Sequence, residues 1–267
     1  MLSDADRRKA ADTLIDAAKT RKQATQLSVT FPAITFEDAY AISTECARRR
    51  MAAGEKLIGH KVGLTSKAMQ ASSQIDEPDY GYLFESMMVA DGAKVPHENY
   101  CAPRVEVELA FVLGRALRGP GATLFDVLRA TDYVCPALEI IDARIEQFDR
   151  DTKQMRKVFD TISDFAANAG IVLGGRPVRP HDVDLRWVGA LLHKNGVVEE
   201  TGLAAGVLNH PANGVAWLAN KIARYGESLE PGQIVLAGSF TRPVFAKAGD
   251  TLHADYGALG SVAFRFT

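Results

Sequence analysis

Two glutamates stand one residue apart in the run Arg104-Val105-Glu106-Val107-Glu108-Leu109-Ala110-Phe111-Val112-Leu113, and a third, Glu139, interrupts the apolar run Ala137-Leu138-Glu139-Ile140-Ile141. In an extended strand, residues i and i+2 point the same way, roughly 7 Å apart. Glu106 and Glu108 therefore share a face, and both can reach one cation bound at about 2.0–2.1 Å. The alternative is a solvated strand face with Arg104 as an ion-pair partner. Glu139 bears on the choice, because a carboxylate buried without a partner is costly, and a metal or an arginine (Arg104 or Arg144) removes that cost. The donor set is all oxygen, with no His or Cys at ligand spacing, which suits Mg²⁺, Mn²⁺ or Ca²⁺ better than Zn²⁺.

Other residues admit two uses each. Gly59-His60-Lys61-Val62-Gly63-Leu64-Thr65-Ser66-Lys67 lacks phosphate-loop spacing. Its Lys61, inside an apolar strand, either snorkels to the surface or serves as a catalytic or carboxylate-binding ammonium. Asp76-Glu77-Pro78-Asp79-Tyr80-Gly81 reads as a turn by composition, with Asp79 either capping amides or transferring protons. Arg156 to Asp164 reads as a loop entering a helix, capped by Ser163 or Asp164. Gly238-Ser239-Phe240-Thr241-Arg242 could hold a carboxylate or simply turn the chain. The six histidines are dispersed, and neither a Gly-x-Ser-x-Gly elbow nor a Gly-x-Gly-x-x-Gly fingerprint occurs.

Helices and strands must position these groups. Ser3 caps a predicted helix reaching about Lys22, and Thr35, with Asp38 at N3, caps another from about Phe36 to Ala53, stopped by Gly54. From Lys56 onward β patterns dominate: 57–64, 105–113 (inner face Val105, Val107, Leu109, Phe111, Leu113), 133–141, an Asn195-Gly196 hairpin within 191–198, 234–236, 251–255 and 261–266. Helices are expected at 122–130 and 211–225. Because strands and helices do not alternate regularly, the pattern predicts an α+β fold with a large, mixed, mainly antiparallel sheet. It divides the chain into an N-terminal helical region, 1–55, and a β-rich catalytic domain, 56–267.

The 267 residues carry a formal net charge of −2, which argues against a nucleic-acid groove. No apolar run has membrane-spanning length, and Met1 to Arg8 holds no apolar signal core. Cys46, Cys101 and Cys135 are too few and too scattered for a disulfide framework or a zinc site. A reducing cytoplasm is the expected compartment.

Together these stretches resemble a known family. The carriers are Gly59 to Gln70, Pro78-Asp79-Tyr80-Gly81, the Glu106/Glu108 strand, Pro136 to Arg144, Phe159 to Asp164, Ala205 to Gly214 and Gly238 to Pro243, spread over nearly the whole chain. The chain resembles the hydratase/decarboxylase branch of the fumarylacetoacetate hydrolase superfamily, in particular its hydratases of homoprotocatechuate (4-hydroxyphenylacetate) breakdown. The resemblance implies a rolled β-sheet domain and large homo-oligomers, a decamer among them. It implies Mg²⁺ or Mn²⁺ on Glu106, Glu108 and Glu139, and Lys61 and Asp79 in the active site with Ser239 near the substrate. The implied reaction is hydration of 2-oxohept-4-ene-1,7-dioate to 4-hydroxy-2-oxoheptane-1,7-dioate. Arg144, Arg156 and Lys157 are the candidates for the distal carboxylate. The hydrolase branch usually has an aspartate where this chain has Glu139, and it uses a His–Glu pair on an N-terminal lid; here no histidine precedes His60. Three rivals stay open: a 2-hydroxypenta-2,4-dienoate hydratase, a 4-oxalocrotonate decarboxylase, and a non-catalytic partner subunit of a decarboxylase–hydratase complex.

Overall fold

Ser3 and Thr35 start the two long helices, as their types predict. The computed structural model describes residues 1–267. Its helices are α1 (Asp4–Thr20), α2 (Leu27–Thr30), α3 (Phe36–Ala52), α4 (Lys67–Ser72), α5 (Leu124–Ala130), α6 (Val158–Ser163) and α7 (Pro211–Ile222). The Ser3 hydroxyl accepts from Asp6 N–H, and Thr35 and Asp38 form a reciprocal capping box. No helix is long and apolar enough to cross a membrane.

The strands are β1 (Leu57–Gly63), β2 (Asp79–Phe84), β3 (Met88–Val89), β4 (Lys94–Val95), β5 (Pro103–Leu113), β6 (Thr131–Asp142), β7 (Asn168–Leu173), β8 (Gly189–Lys194), β9 (Val197–Leu203), β10 (Ile234–Leu236), β11 (Val244–Phe245), β12 (Thr251–Asp255) and β13 (Ser261–Phe266). They divide between two sheets. The eight-stranded sheet runs β2-β1-β10-β5-β6-β7-β3, with β11 also paired to β5; the five-stranded sheet runs β4-β13-β12-β8-β9. Only β1–β10, β3–β7 and β13–β4 pair in parallel, so the sheets are mixed and mainly antiparallel, as the pattern predicts. Asn195 and Gly196 both have left-handed φ, 54° and 82°, the turn geometry a two-residue hairpin favours.

Two segments differ from the sequence reading. Asp79 opens β2 instead of lying in a turn: the turn signals stop at Pro78, and burial of Tyr80, Tyr82 and Phe84 draws the chain into the sheet. Residues 158–163 are helical, and the capping carboxylate is Asp160, which accepts from the N–H of Lys157 at 2.8 Å and of Ser28 at 2.9 Å. Ser163 and Asp164 stand at the other end.

The large sheet separates two environments. Val105, Val107, Leu109, Phe111 and Leu113 face the main core with Leu138, Ile140 and Val172. The opposite face carries a small apolar cluster, Leu83, Ala110, Cys135, Ala137, Ile171 and Leu236. The acids lie on that second face.

Candidate active site

Strand register brings the three glutamates together. Glu106 lies directly opposite Glu139 in the β5–β6 ladder, and Glu108 lies opposite Ala137. Opposed residues in an antiparallel pair project to the same side, as do residues two apart on one strand. One ligand oxygen from each of Glu106, Glu108 and Glu139 lies within 4.8 Å of the others. Behind them the Tyr256 hydroxyl donates to the carbonyls of Glu108 (2.8 Å) and Ala137 (2.6 Å), fixing the two strands to each other.

Lys61 and Asp79 reach the same face from β1 and β2. Lys61 Nζ stands 3.4 Å from Glu139 Oε1 and donates to the Ala166 carbonyl at 3.0 Å. Asp79 is paired across the ladder with Gly63. A Cβ at Gly63 would fall 2.3 Å from Asp79 Oδ1 and 3.2 Å from Lys61 Nζ, so only glycine leaves room for both. His60 alternates to the opposite face, among Tyr80 and Tyr82, where burial pushes its imidazole down to about 4.

Burial governs the electrostatics. It pushes Glu106 up to about 7, opposed by Lys61 and reinforced by Glu139. Glu108 is raised well above its ordinary value by burial and Glu139, and Glu139 is raised by burial against the pull of Lys61. Asp79 is raised by burial, again opposed by Lys61. Burial works against the Lys61 charge, but Glu139, Glu106, Asp79 and Glu108 outweigh it and hold the ammonium above its ordinary range.

Glu108 Oε2 accepts from Gly238 N–H at 2.8 Å, yet Glu108 Oε1 and both Asp79 carboxylate oxygens have no hydrogen-bond partner in the chain, and the Glu139 carboxylate has only the Lys61 ammonium, 3.4 Å from Oε1. Buried carboxylate oxygens without donors are strongly disfavoured. A divalent cation shared by Glu106, Glu108 and Glu139 relieves that cost, and an all-oxygen set fits a hard cation.

These groups open into a cleft of about 980 Å³, whose lining includes Lys61, Asp79, Glu106, Lys157 and Ser239. The Ser239 hydroxyl is already engaged, its single hydrogen shared between the carbonyls of Val107 on β5 and Thr241 in its own loop. Lys157 is exposed at the rim. Arg144 is a correction to the sequence reading, because it is not part of the cleft wall. Its guanidinium is buried against Asp164 (Nε–Oδ1 2.5 Å) and donates to the carbonyls of Asn168 and Asp164, so its charge is spent on the fold.

One contributor escaped the sequence reading and another was seen there only in part. The first is the Ala166 carbonyl, delivered by Phe165, Ala166 and Ala167, all with left-handed φ (54°, 51° and 62°). Nothing in those residue types announces such backbone. Gly81 permits it, since a Cβ there would lie 1.9 Å from the Phe165 carbonyl oxygen. The other is the cationic wall of Arg104 and Arg156, which the sequence offered separately, as an ion-pair partner for the glutamates and as a candidate for the distal carboxylate, and not as one surface; Arg104 is held down by burial and by the neighbouring Arg156 charge.

The fold and this acidic centre define a class. Residues 51–267 match the family model for the fumarylacetoacetate (FAA) hydrolase C-terminal domain, and the chain belongs to that family. Within it, the chain is 62% identical over 256 residues to the 2-oxo-hept-4-ene-1,7-dioate hydratase of Escherichia coli, covering 96% of both chains. It is 38% identical over 260 residues to the 2-keto-4-pentenoate hydratase of Paraburkholderia xenovorans, covering 97% of this chain and 94% of the relative. Among solved structures, 4-oxalocrotonate decarboxylase from Pseudomonas putida G7, complexed with magnesium and adipate, superposes with a TM-score of 0.94 at 36% identity over 100% of this chain and 99% of the other.

Proposed function

We propose that this chain is a divalent-metal-dependent hydratase that converts 2-oxohept-4-ene-1,7-dioate to 4-hydroxy-2-oxoheptane-1,7-dioate in the cytoplasm, during homoprotocatechuate breakdown. The observation that carries this reading is the convergence of three glutamates, Glu108 and Glu139 buried with oxygens that lack hydrogen-bond donors and Glu106 half-buried at the cleft, beside Lys61 and Asp79. The 62% identity to the Escherichia coli hydratase supports the choice of substrate.

Glu106, Glu108 and Glu139 would hold Mg²⁺, or Mn²⁺ in its place; the magnesium in the 4-oxalocrotonate decarboxylase complex supports a divalent cation. Bound there, the cation supplies positive charge to the 2-oxo acid end of the substrate, where electron density builds during addition. Lys61, kept protonated by its acidic neighbours, holds the substrate carboxylate and donates hydrogen bonds to it. Asp79 first takes a proton from C3 and returns it to C5, which moves the double bond from C4=C5 to C3=C4, in conjugation with the 2-oxo group; it then takes a proton from the water that attacks C4 and returns one to C3, so the net change is one water added and both carboxyls are unchanged. Its raised pKa suits a group that must pass between both forms near neutral pH. Ser239 and Lys157 bound the space around the substrate chain.

The reading is tested by incubating purified protein and Mg²⁺ with the seven-carbon dioate, following ultraviolet absorbance and product mass. Gain of one water is the expected result. Loss of carbon dioxide would instead assign the decarboxylase reaction, which the structural likeness to the Pseudomonas putida G7 enzyme makes the specific rival. No reaction unless a second protein is added would indicate a non-catalytic subunit. We also infer a large homo-oligomer, supported by the exposed apolar side chains Leu191, Val197 and Val198 on β8 and β9; light scattering at the monomer mass would contradict it.

A further inference from the structure

Two cations of the cleft wall, Arg104 and Arg156, have no ion-pair partner. Arg104 lies two residues before Glu106 on β5, on the same face and so roughly 7 Å along the strand. Beside it the 145–156 segment folds back on itself through a bridge between Phe148 and Met155. Gln147 ties the two parts together: its carbonyl accepts from Arg156 N–H at 2.8 Å, and its side-chain oxygen accepts from Arg104 Nη2. The Arg104 guanidinium also stacks 4.1 Å over the Phe245 ring, which fixes its plane.

Each guanidinium carries five N–H donors. Arg104 commits one to Gln147, and Arg156 commits one to the Ile145 carbonyl at 3.2 Å. Neither joins an ion pair, whereas the other candidate cations of the region do or stand in water. Arg144 is paired with Asp164, Arg242 with Glu200, and Lys157 is exposed. Two half-buried arginines side by side, neither in an ion pair and with most donors unused, make a seat for an anion, though Glu106 acts on Arg104 and Asp164, Asp160 and Asp79 act on Arg156 from a distance. Their planar forks suit a carboxylate bound by paired hydrogen bonds.

We propose that Arg104 and Arg156 form a clamp for the distal carboxylate of a dioate whose 2-oxo acid end lies at the glutamate trio. The proposal rests on the dioate reading above. It makes this arginine pair the determinant that separates dicarboxylate from monocarboxylate substrates.

The test is calorimetry on the full chain loaded with Mg²⁺, titrating 2-oxoheptanedioate and, separately, 2-oxoheptanoate, which differ only in the distal carboxylate. Wild type should bind the dioate about tenfold to a hundredfold more tightly. Arg156→Met and Arg104→Met should each reduce that ratio to within about threefold of unity, and Arg156→Lys should fall between. Because the readout is a ratio within one protein, partial unfolding lowers both affinities alike and leaves the comparison valid. A wild type with no preference, or a preference that survives in both methionine variants, would overturn the clamp. A preference that behaves as expected in a protein that adds no water would support the clamp while sinking the hydratase reading.

Discussion

Four acids (Asp79, Glu108 and Glu139 buried, Glu106 half-buried) and one buried lysine share a face of the large sheet, and their balance decides what each can do. Burial, opposed by Lys61 and reinforced by Glu139 and Asp79, raises Glu106 to about 7. Replacing one ligand should therefore remove the cation, not merely weaken it: Glu106→Gln should lower Mg²⁺ affinity by more than about a hundredfold, beyond the loss typical of an outer-sphere partner, with turnover falling to background. Titration calorimetry checks the first and product mass the second. Gly63 gives a subtler probe. A methyl group there would displace Asp79 and Lys61 without touching a metal ligand. Gly63→Ala should cut turnover about a hundredfold, the scale of an ångström's misplacement, while Mg²⁺ affinity measured by calorimetry stays within a few-fold of wild type.

At the scale of elements, caps and ladders do the positioning. Asp38 closes the box that starts α3, and it also accepts from Arg7 Nη2 at 2.7 Å and Leu2 N–H at 3.0 Å, joining α1 to α3. Asp38→Ala should lower stability by about 2–4 kcal/mol, combining a lost cap with lost charge-assisted bonds; chemical denaturation measures it. This level was largely legible in the sequence. Ser3, Thr35, Asn195-Gly196 and the alternating run at 105–113 use local chemistry, so each gave its element directly. The facing of Glu106 and Glu108 followed from strand periodicity alone. What stayed hidden was register: that Glu106 meets Glu139, and that Lys61 arrives from two strands away, depends on pairing between segments distant in the chain. The left-handed run at 165–167 was hidden for a different reason, since Gly81, the residue that makes room for it, lies far away in sequence. Arg144 misled because charge near a site says nothing of whether an aspartate already holds it.

The whole molecule couples the site to stability. Glu106 titrates at about 7 in the folded chain against an ordinary 4.5, so across that interval the folded state holds more protons than the unfolded one. Its contribution to stability is full below about 4.5 and is lost as pH rises through about 7. Asp79, Glu108 and Glu139 shift in the same direction and add to the loss. A bound cation needs the ionised forms and reverses the penalty. The rise in melting temperature caused by Mg²⁺ should therefore grow as pH increases through about 7, measured by scanning calorimetry with and without the ion. His60, pushed down to about 4, works in the opposite sense between about 4 and 6.5 but is common to both samples and cancels. The most direct test of the account is the rate of dioate hydration as Mg²⁺ is titrated into metal-stripped wild type and Glu139→Gln. A saturable rise in wild type and none in the variant is the predicted result; equal turnover of metal-stripped and Mg²⁺-loaded wild type, or full activity in Glu139→Gln, would contradict it.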